Sequence, residues 1–359
     1  MGEEVDRGLR PTAERACVTT VVVVGVVALA LALWKLRLVV ALLLLAFTIA
    51  SAMRPGVDWL AARGFPRALG VMLHYAVALA FVVLSLSFVV PRLTNEVQTA
   101  IGNAQAHRQA TRPRAGDTIK ERILDAVDRR LGDLPKSGNL VHPAVSVGEE
   151  AFKVLVGILF TFAAAAYWIF ERDAAVDLVA KLLPRPKRKT LRDTWTLIDQ
   201  KLGAFVRGEL VLIALVSAAV SAGLALIGVP YWLLIGILTG ILEIIPVVGP
   251  LVALLLVIGA GLTVSWHTAV IAGAMLLGLR VLQDYLVTPR VLGGAVGVSP
   301  LIVLVSVFAT GILLGGFYVL LAIPLASLIV TVVDVVVRGV DPAEEEVPTV
   351  LFPVGDAER

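Results

Sequence analysis

The chain has 359 residues, of which 58% are hydrophobic and 16% charged, and its formal net charge is +3. Soluble domains carry roughly 25% charged residues, so this composition, with a mean hydropathy of +0.91, excludes a string of ordinary soluble domains and points to an all-α polytopic membrane protein. So small a net charge leaves no electrostatic footprint for nucleic acid, and the one cysteine, Cys17, excludes a disulfide framework.

Residues 1–17 are polar and form an N-terminal segment. An apolar stretch from Val18 to Ala52 is far longer than the core of a signal peptide, about 7–15 residues. Lys35 and Arg37 divide it, which predicts a retained hairpin of span one (18–34) and span two (38–53). A basic loop with Arg54, Arg63 and Arg67 precedes span three (69–90). Spans one to three thus fill 18–91, each near the ~20 residues that cross the hydrocarbon. Residues 92–150 are charged and broken by Gly and Pro; Ile119, Ile123, Leu124, Val127, Leu131 and Leu134 recur at helical spacing. This predicts an amphipathic helix over 118–134 in an extramembrane insertion between spans three and four.

Span four is expected at 151–170, followed by a segment, 171–207, with nine Lys and Arg. Spans five (209–228), six (231–258) and seven (267–287) follow. A Gly-rich linker, 288–299, leads to a last apolar stretch, 300–337, interrupted at Gly315-Gly316 and Pro324. Residues 208–337 are thus expected to form spans five to eight, with some helices broken or re-entrant. The acidic tail, 338–359, reads as mobile. About eight crossings, with the N-terminus, the 54–68 loop and the 171–207 segment on one side, place both termini in the cytoplasm by the excess of positive charge there.

The polar residues inside the spans are the candidates for function. "EIIPVVGP" (243–250) sets a carboxylate and two prolines in apolar sequence, Glu243 lying 12 residues past Tyr231, roughly 18 Å along a helix. Pro246 removes the N–H that the Leu242 carbonyl would accept, and Gly249-Pro250 repeats the interruption. A carboxylate at mid-bilayer costs about 2.5–3.5 kcal/mol, and irregular backbone at that depth is tolerated only against protein or water. The two together predict a protein-enclosed polar path. The other reading is a proline kink whose glutamate is protonated or reaches an interface.

A second cluster holds Arg280 and Asp284 at i,i+4, with Gln283 adjacent; Pro289, followed by Arg290, and Gly293-Gly294 are then expected to break the helix, before Ser299-Pro300. It is either a gate or an interfacial ion pair closing a helix. "GILTG" (236–240) and "GILLG" (311–315) echo each other, and each precedes an Ile-Pro, a pattern known from transporter repeats. His74, His107, His142 and His267 lack metal-ligand spacing. No phosphate-cradling loop, HExxH or GxSxG is present. Neither enzyme chemistry nor a metal or cofactor is expected.

"GILEIIPVVGPLVALLLV" together with "QDYLVTPRVLGGAVGVSPLIVLVSVFATGILLGGFYVLLAIPLASLI" resembles the signature of the AI-2E (autoinducer-2 exporter, PerM-like) transporter family, and the resemblance extends over residues 18–335. It implies a bacterial inner-membrane protein of about eight spans, a homo-oligomer in the lipid bilayer, that exports a small polar solute or signalling molecule. Carried over, the motif positions are Glu243, Pro246, Gly249, Pro250, Gln283, Asp284, Pro289, Arg290 and Gly293. Two alternatives stand beside export: a Na⁺(Li⁺)/H⁺ antiporter, moving a monovalent cation against a proton, and a membrane scaffold without flux.

Overall fold

The computed structural model describes residues 2–80, 83, 84, 87, 141–292, 297–345 and 347; side chains are described from Thr19, and in the helix that begins at Val141 they are described at Glu149 and from Phe152. The helix expected over 118–134, the end of span three, Gly293 and Gly294 lie outside them. The described residues form helices and short turns, with no strand among them. Among the described residues four helices are long and apolar enough to cross a membrane, Arg37–Ala61, Phe152–Leu182, Arg185–Ile227 and Trp266–Val291. Six further apolar helices are shorter, at 10–17 residues.

Helices α1 (Gly2–Lys35) and α2 (Arg37–Ala61) correct the expected hairpin. Only Leu36 separates them, and the hydrogen-bond ladder runs through it, from the Leu36 N–H to the Ala32 carbonyl (2.9 Å) and from the Val40 N–H to the Leu36 carbonyl (3.0 Å). The chain bends there rather than reversing. Lys-Leu-Arg are good helix formers with no residue suited to a turn, so charge alone does not end the helix. The true reversal follows Ala61 at Gly64, whose φ of 88° favours glycine. It leads into α3 (Arg67–Ala80), where Val71 packs on Val57 of α2 in one core cluster.

Two helices then run far beyond any span. α4 (Val141–Leu182) and α5 (Arg185–Ile227) have 42 and 43 residues, about 63–65 Å each, about twice the hydrocarbon thickness. The basic 171–207 segment is therefore a helical extension of spans four and five, turned over at Leu183-Pro184. Buried polar contacts stitch it to α2. Asp199 accepts from Arg172 Nε (2.8 Å) and from Ser51 Oγ (2.9 Å), with Arg54 at 3.5 Å. Phe47, Trp168 and Trp195 stack at ring distances of 5.3–5.8 Å and fill the space between α2, α4 and α5.

α5 ends at Gly228, whose φ of 79° lets the Val229 N–H return to the Leu224 carbonyl (3.0 Å). Next come α6 (Trp232–Leu242), α7 (Val248–Val264) and α8 (Trp266–Leu282). α6 packs antiparallel on α5, with Gly236 against Ser221 and Gly240 against Ser217 and the Ile213 carbonyl, so closely that no Cβ fits. α7 packs antiparallel on α8 through Gly261 at Ala269 and Gly273 at Ile258. Ile235, Ala253 and Val257 share one core with Val220, Leu224, Ala272 and Leu276. α7 thus doubles back beside α6, and the expected span six is a helical hairpin whose tip is 243–247.

α8 continues through a wider, π-helical turn (Gln283–Val287) into α9 (Thr288–Val291). The sequence leads one to expect that Pro289 breaks this helix, and it does not. The Thr288 N–H reaches back five residues to the Gln283 carbonyl, and this extra residue takes up the space and the missing donor of the proline. The last apolar stretch divides as expected. α10 (Pro300–Leu313) is capped by Ser299, whose Oγ accepts from the Ile302 N–H (3.4 Å), and Pro300 sits at its first position. Gly315, at φ 109°, breaks the chain before the short α11 (Gly316–Val319), and α12 (Ala322–Val336) holds Pro324 in its first turn.

Candidate functional site

The α6–α7 tip is where costly features meet. α6 closes with tightened i→i+3 bonds, Glu243, Ile244 and Ile245 N–H groups reaching the Gly240, Ile241 and Leu242 carbonyls at 3.1–3.2 Å. The Leu242 carbonyl, expected to lose its partner to Pro246, is therefore satisfied one residue earlier. Val247 then takes φ 67°, a conformation that a β-branched residue enters only under constraint from its surroundings. Gly249 follows; a Cβ there would run into the Leu242 carbonyl oxygen, so only glycine lets the reversal close. Pro250 is not a second interruption. It lies in the first turn of α7, where its missing N–H leaves no bond unmade.

Glu243 points into protein. Its side chain is 10% exposed. Arg280 Nη1 donates to both carboxylate oxygens, at 2.9 and 2.7 Å, and the Gln283 amide donates at 3.0 Å. Arg280 also keeps the expected i,i+4 pair with Asp284, at 3.3 Å. The structure therefore joins the two sequence clusters: the end of α8 supplies the cation and the start of the π turn supplies the amide that hold the acid at the hairpin tip. Gln283 is buried, while half of the Asp284 side chain meets the surroundings.

Three residues not singled out from sequence belong to this place. Glu209, on α5, is half-buried, and its electrostatic neighbours are Glu243 and Arg280. Among the described residues no group bonds its carboxylate. Thr239 stands one turn before Glu243 on the same face of α6. It is 1% exposed; among the described residues neither its hydroxyl nor that of Ser221 on α5, which faces Gly236 about two turns before Glu243, has a partner. Glu209 had a signal in an acid just inside an apolar stretch; a lone Thr or Ser in such a stretch carries none.

Of the other sequence candidates, Pro289 and Arg290 stand beyond the π turn, just before Val291 and Leu292, which pack on Gly208 of α5, and Pro300, Gly315, Gly316 and Pro324 shape the α10–α12 segment. The two echoing segments both lead into helix breaks, at 243–247 and at 314–315. Among the described residues no group of three or more His, Cys, Asp and Glu is placed to hold a metal ion.

Known proteins match this chain over most of its length. The family model described as AI-2E family transporter matches residues 22–338. The chain is 28% identical over 346 residues to the Mycobacterium tuberculosis protein named "Putative transport protein MT0215", covering 92% of each chain. It is 21% identical to "Putative transport protein YrrI" of Bacillus subtilis, over 80% of this chain and 83% of the relative. It is 28% identical to "Putative permease PerM" of Escherichia coli over a shorter region, 45% of this chain and 46% of the relative.

Proposed function

We propose that this chain, which belongs to the AI-2E transporter family, carries a small polar solute outward across the bacterial inner membrane, with the α6–α7 tip as the place where the solute is met. The observation that carries this reading is the partly buried constellation of Glu243, Arg280 and Gln283 at a strained helix break. A broken helix with polar groups near mid-membrane is how many transporters hold ions and solutes. Burying such a pair for stability alone is a poor bargain, because apolar replacements are often as stable.

The chemistry follows from the pair. Glu243 offers two acceptor oxygens, and Arg280 and Gln283 offer donors that it now occupies. A solute bearing hydroxyl or carboxylate groups can take the donors of Arg280 and Gln283 while Glu243 turns to a donor on the solute. Thr239 and Ser221 extend the polar line along the α5–α6 interface. The tip must give way for passage, and Val247 stores strain that opening would release. In this reading the basic 171–207 segment lies on the cytoplasmic face, and copies of the chain associate in the bilayer.

The test is a panel of small polar solutes loaded into liposomes with the purified protein. Wild type is expected to pass at least one of them, and Glu243→Gln to pass it at least tenfold more slowly. Equal flux through both would remove Glu243 from the path.

Cation/proton antiport is the second reading, and Glu209 favours it. Among the described residues it is a carboxylate without a bonded partner that feels the charge of Glu243, and one proton or monovalent cation could relieve the repulsion between the two. Under that reading, adding Na⁺ outside vesicles dequenches an internal pH dye, and Glu209→Gln abolishes the response. Silence in wild type would eliminate antiport.

A further inference from the structure

Lys201 is the most deeply buried lysine among the described residues, its side chain 4% exposed. A buried ammonium needs a countercharge and hydrogen-bond acceptors, or its desolvation costs several kcal/mol. It stands on α5, eight residues before Glu209 and so about 12 Å away along the helix. Its neighbours come from three separate segments. Glu345 Oε1 lies 2.6 Å from Nζ, and the Thr331 hydroxyl of α12 lies at 3.3 Å. The backbone at Gly297 passes so near that a Cβ there would sit 3.3 Å from Nζ.

The chain after α12 is folded to deliver that glutamate. Gly339 turns it at φ 70°, and the N–H groups of Arg338 and Val340 return to the carbonyls of Val333 (3.3 Å) and Asp334 (3.1 Å). Asp341 Oδ1 accepts from the Ala343 N–H (3.0 Å), and the Asp341 carbonyl from the Glu344 N–H (3.3 Å). Pro342 is buried by the fold-back. Residues 338–345, expected from sequence to be mobile, are thus held by a set of turns that end at Lys201.

We propose that Lys201 and Thr331 form a carboxylate-binding site between α5 and α12, and that the chain fills it with its own Glu345. The 338–345 segment is then a strap. While Glu345 is bound, α12 and the α10–α12 hairpin are locked to α5, the helix that also carries Glu209. When it leaves, the buried ammonium keeps, among the described residues, the one hydroxyl of Thr331, and the contact between α12 and α5 loosens. The strap stands on its own geometry and does not depend on which solute the protein carries.

Hydrogen–deuterium exchange of the full-length protein in lipid nanodiscs tests this without any solute. Wild type is expected to protect amides in 338–345, including those of Val340 and Glu344, and in α12. Glu345→Gln should speed exchange in 338–345 at least tenfold and in α12 severalfold. Lys201→Met removes the buried charge and keeps the stem, so folding is preserved while the strap is released to the same extent. Protection of 338–345 unchanged in both variants would refute the site. Release of 338–345 with α12 equally protected would refute the lock.

Discussion

Replacing Arg280 with methionine tests the central contact of the hairpin tip. The substitution removes two charge-assisted hydrogen bonds, at 2.9 and 2.7 Å, and leaves Glu243 with the Gln283 amide alone. Breaking a buried ion pair costs about 3–5 kcal/mol, because one charge is left without its partner. Arg280 is 33% exposed while Glu243 is 10% exposed. Solvent screening at the arginine therefore places the loss at about 2–3 kcal/mol. The reverse substitution, Glu243→Leu, should cost less, about 1 kcal/mol, because Arg280 retains Asp284 at 3.3 Å. The double variant leaves no orphaned charge, so its loss falls well short of the sum, with a coupling of about 2 kcal/mol. Reversible unfolding in mixed detergent micelles, followed by the fluorescence of the six tryptophans, measures all three. A coupling below about 0.5 kcal/mol, typical of an exposed pair, would show that this contact does not hold the tip.

Gly249→Ala should be the most damaging small change at the tip. Its Cβ meets the Leu242 carbonyl, which is backbone and cannot swing aside, so a loss of about 2–3 kcal/mol and of solute flux is expected; a normally stable variant would show that the reversal is closed some other way. Pro250→Ala, one residue on, should change stability by less than about 1 kcal/mol, the proline contributing only through the unfolded chain. Val247→Gly should raise stability by about 1 kcal/mol, since relief of the positive φ exceeds the entropy that glycine brings; a drop in the unfolding midpoint would count against strain at this residue. Asp199→Ala removes the acceptor shared by Arg172 and Ser51 and should cost about 3 kcal/mol, read as a fall in the same unfolding midpoint.

The sequence by itself determined that this is an all-helical, multi-pass membrane protein, because apolar runs longer than a soluble core needs have only lipid to face. It also marked Glu243, Pro246 and Gly249 as a candidate locus for function. A carboxylate, a missing donor and a missing Cβ are each costly there, and their coincidence is visible in one dimension. Sequence misjudged what each break does. Lys35–Arg37 looked like a turn and is a bend, while Pro250 and Pro289 looked like interruptions and are absorbed by a helix start and a π turn. A proline's effect depends on whether the carbonyl that it deprives has another donor, and that is settled by local backbone geometry.

Only the tertiary structure decided partners. Arg280 was legible as a neighbour of Asp284 because i,i+4 contacts are fixed by the helix. Its stronger contact is Glu243, 37 residues away, reached because α6 and α8 both pack beside α7. Lys201 was one basic residue among nine in a segment that read only as basic and cytoplasmic, until α12 and the tail closed over it. A buried charge is defined by what the rest of the chain places against it, and that arrangement follows from the packing of small residues such as Gly236, Gly240 and Gly261, whose contacts no periodicity announces.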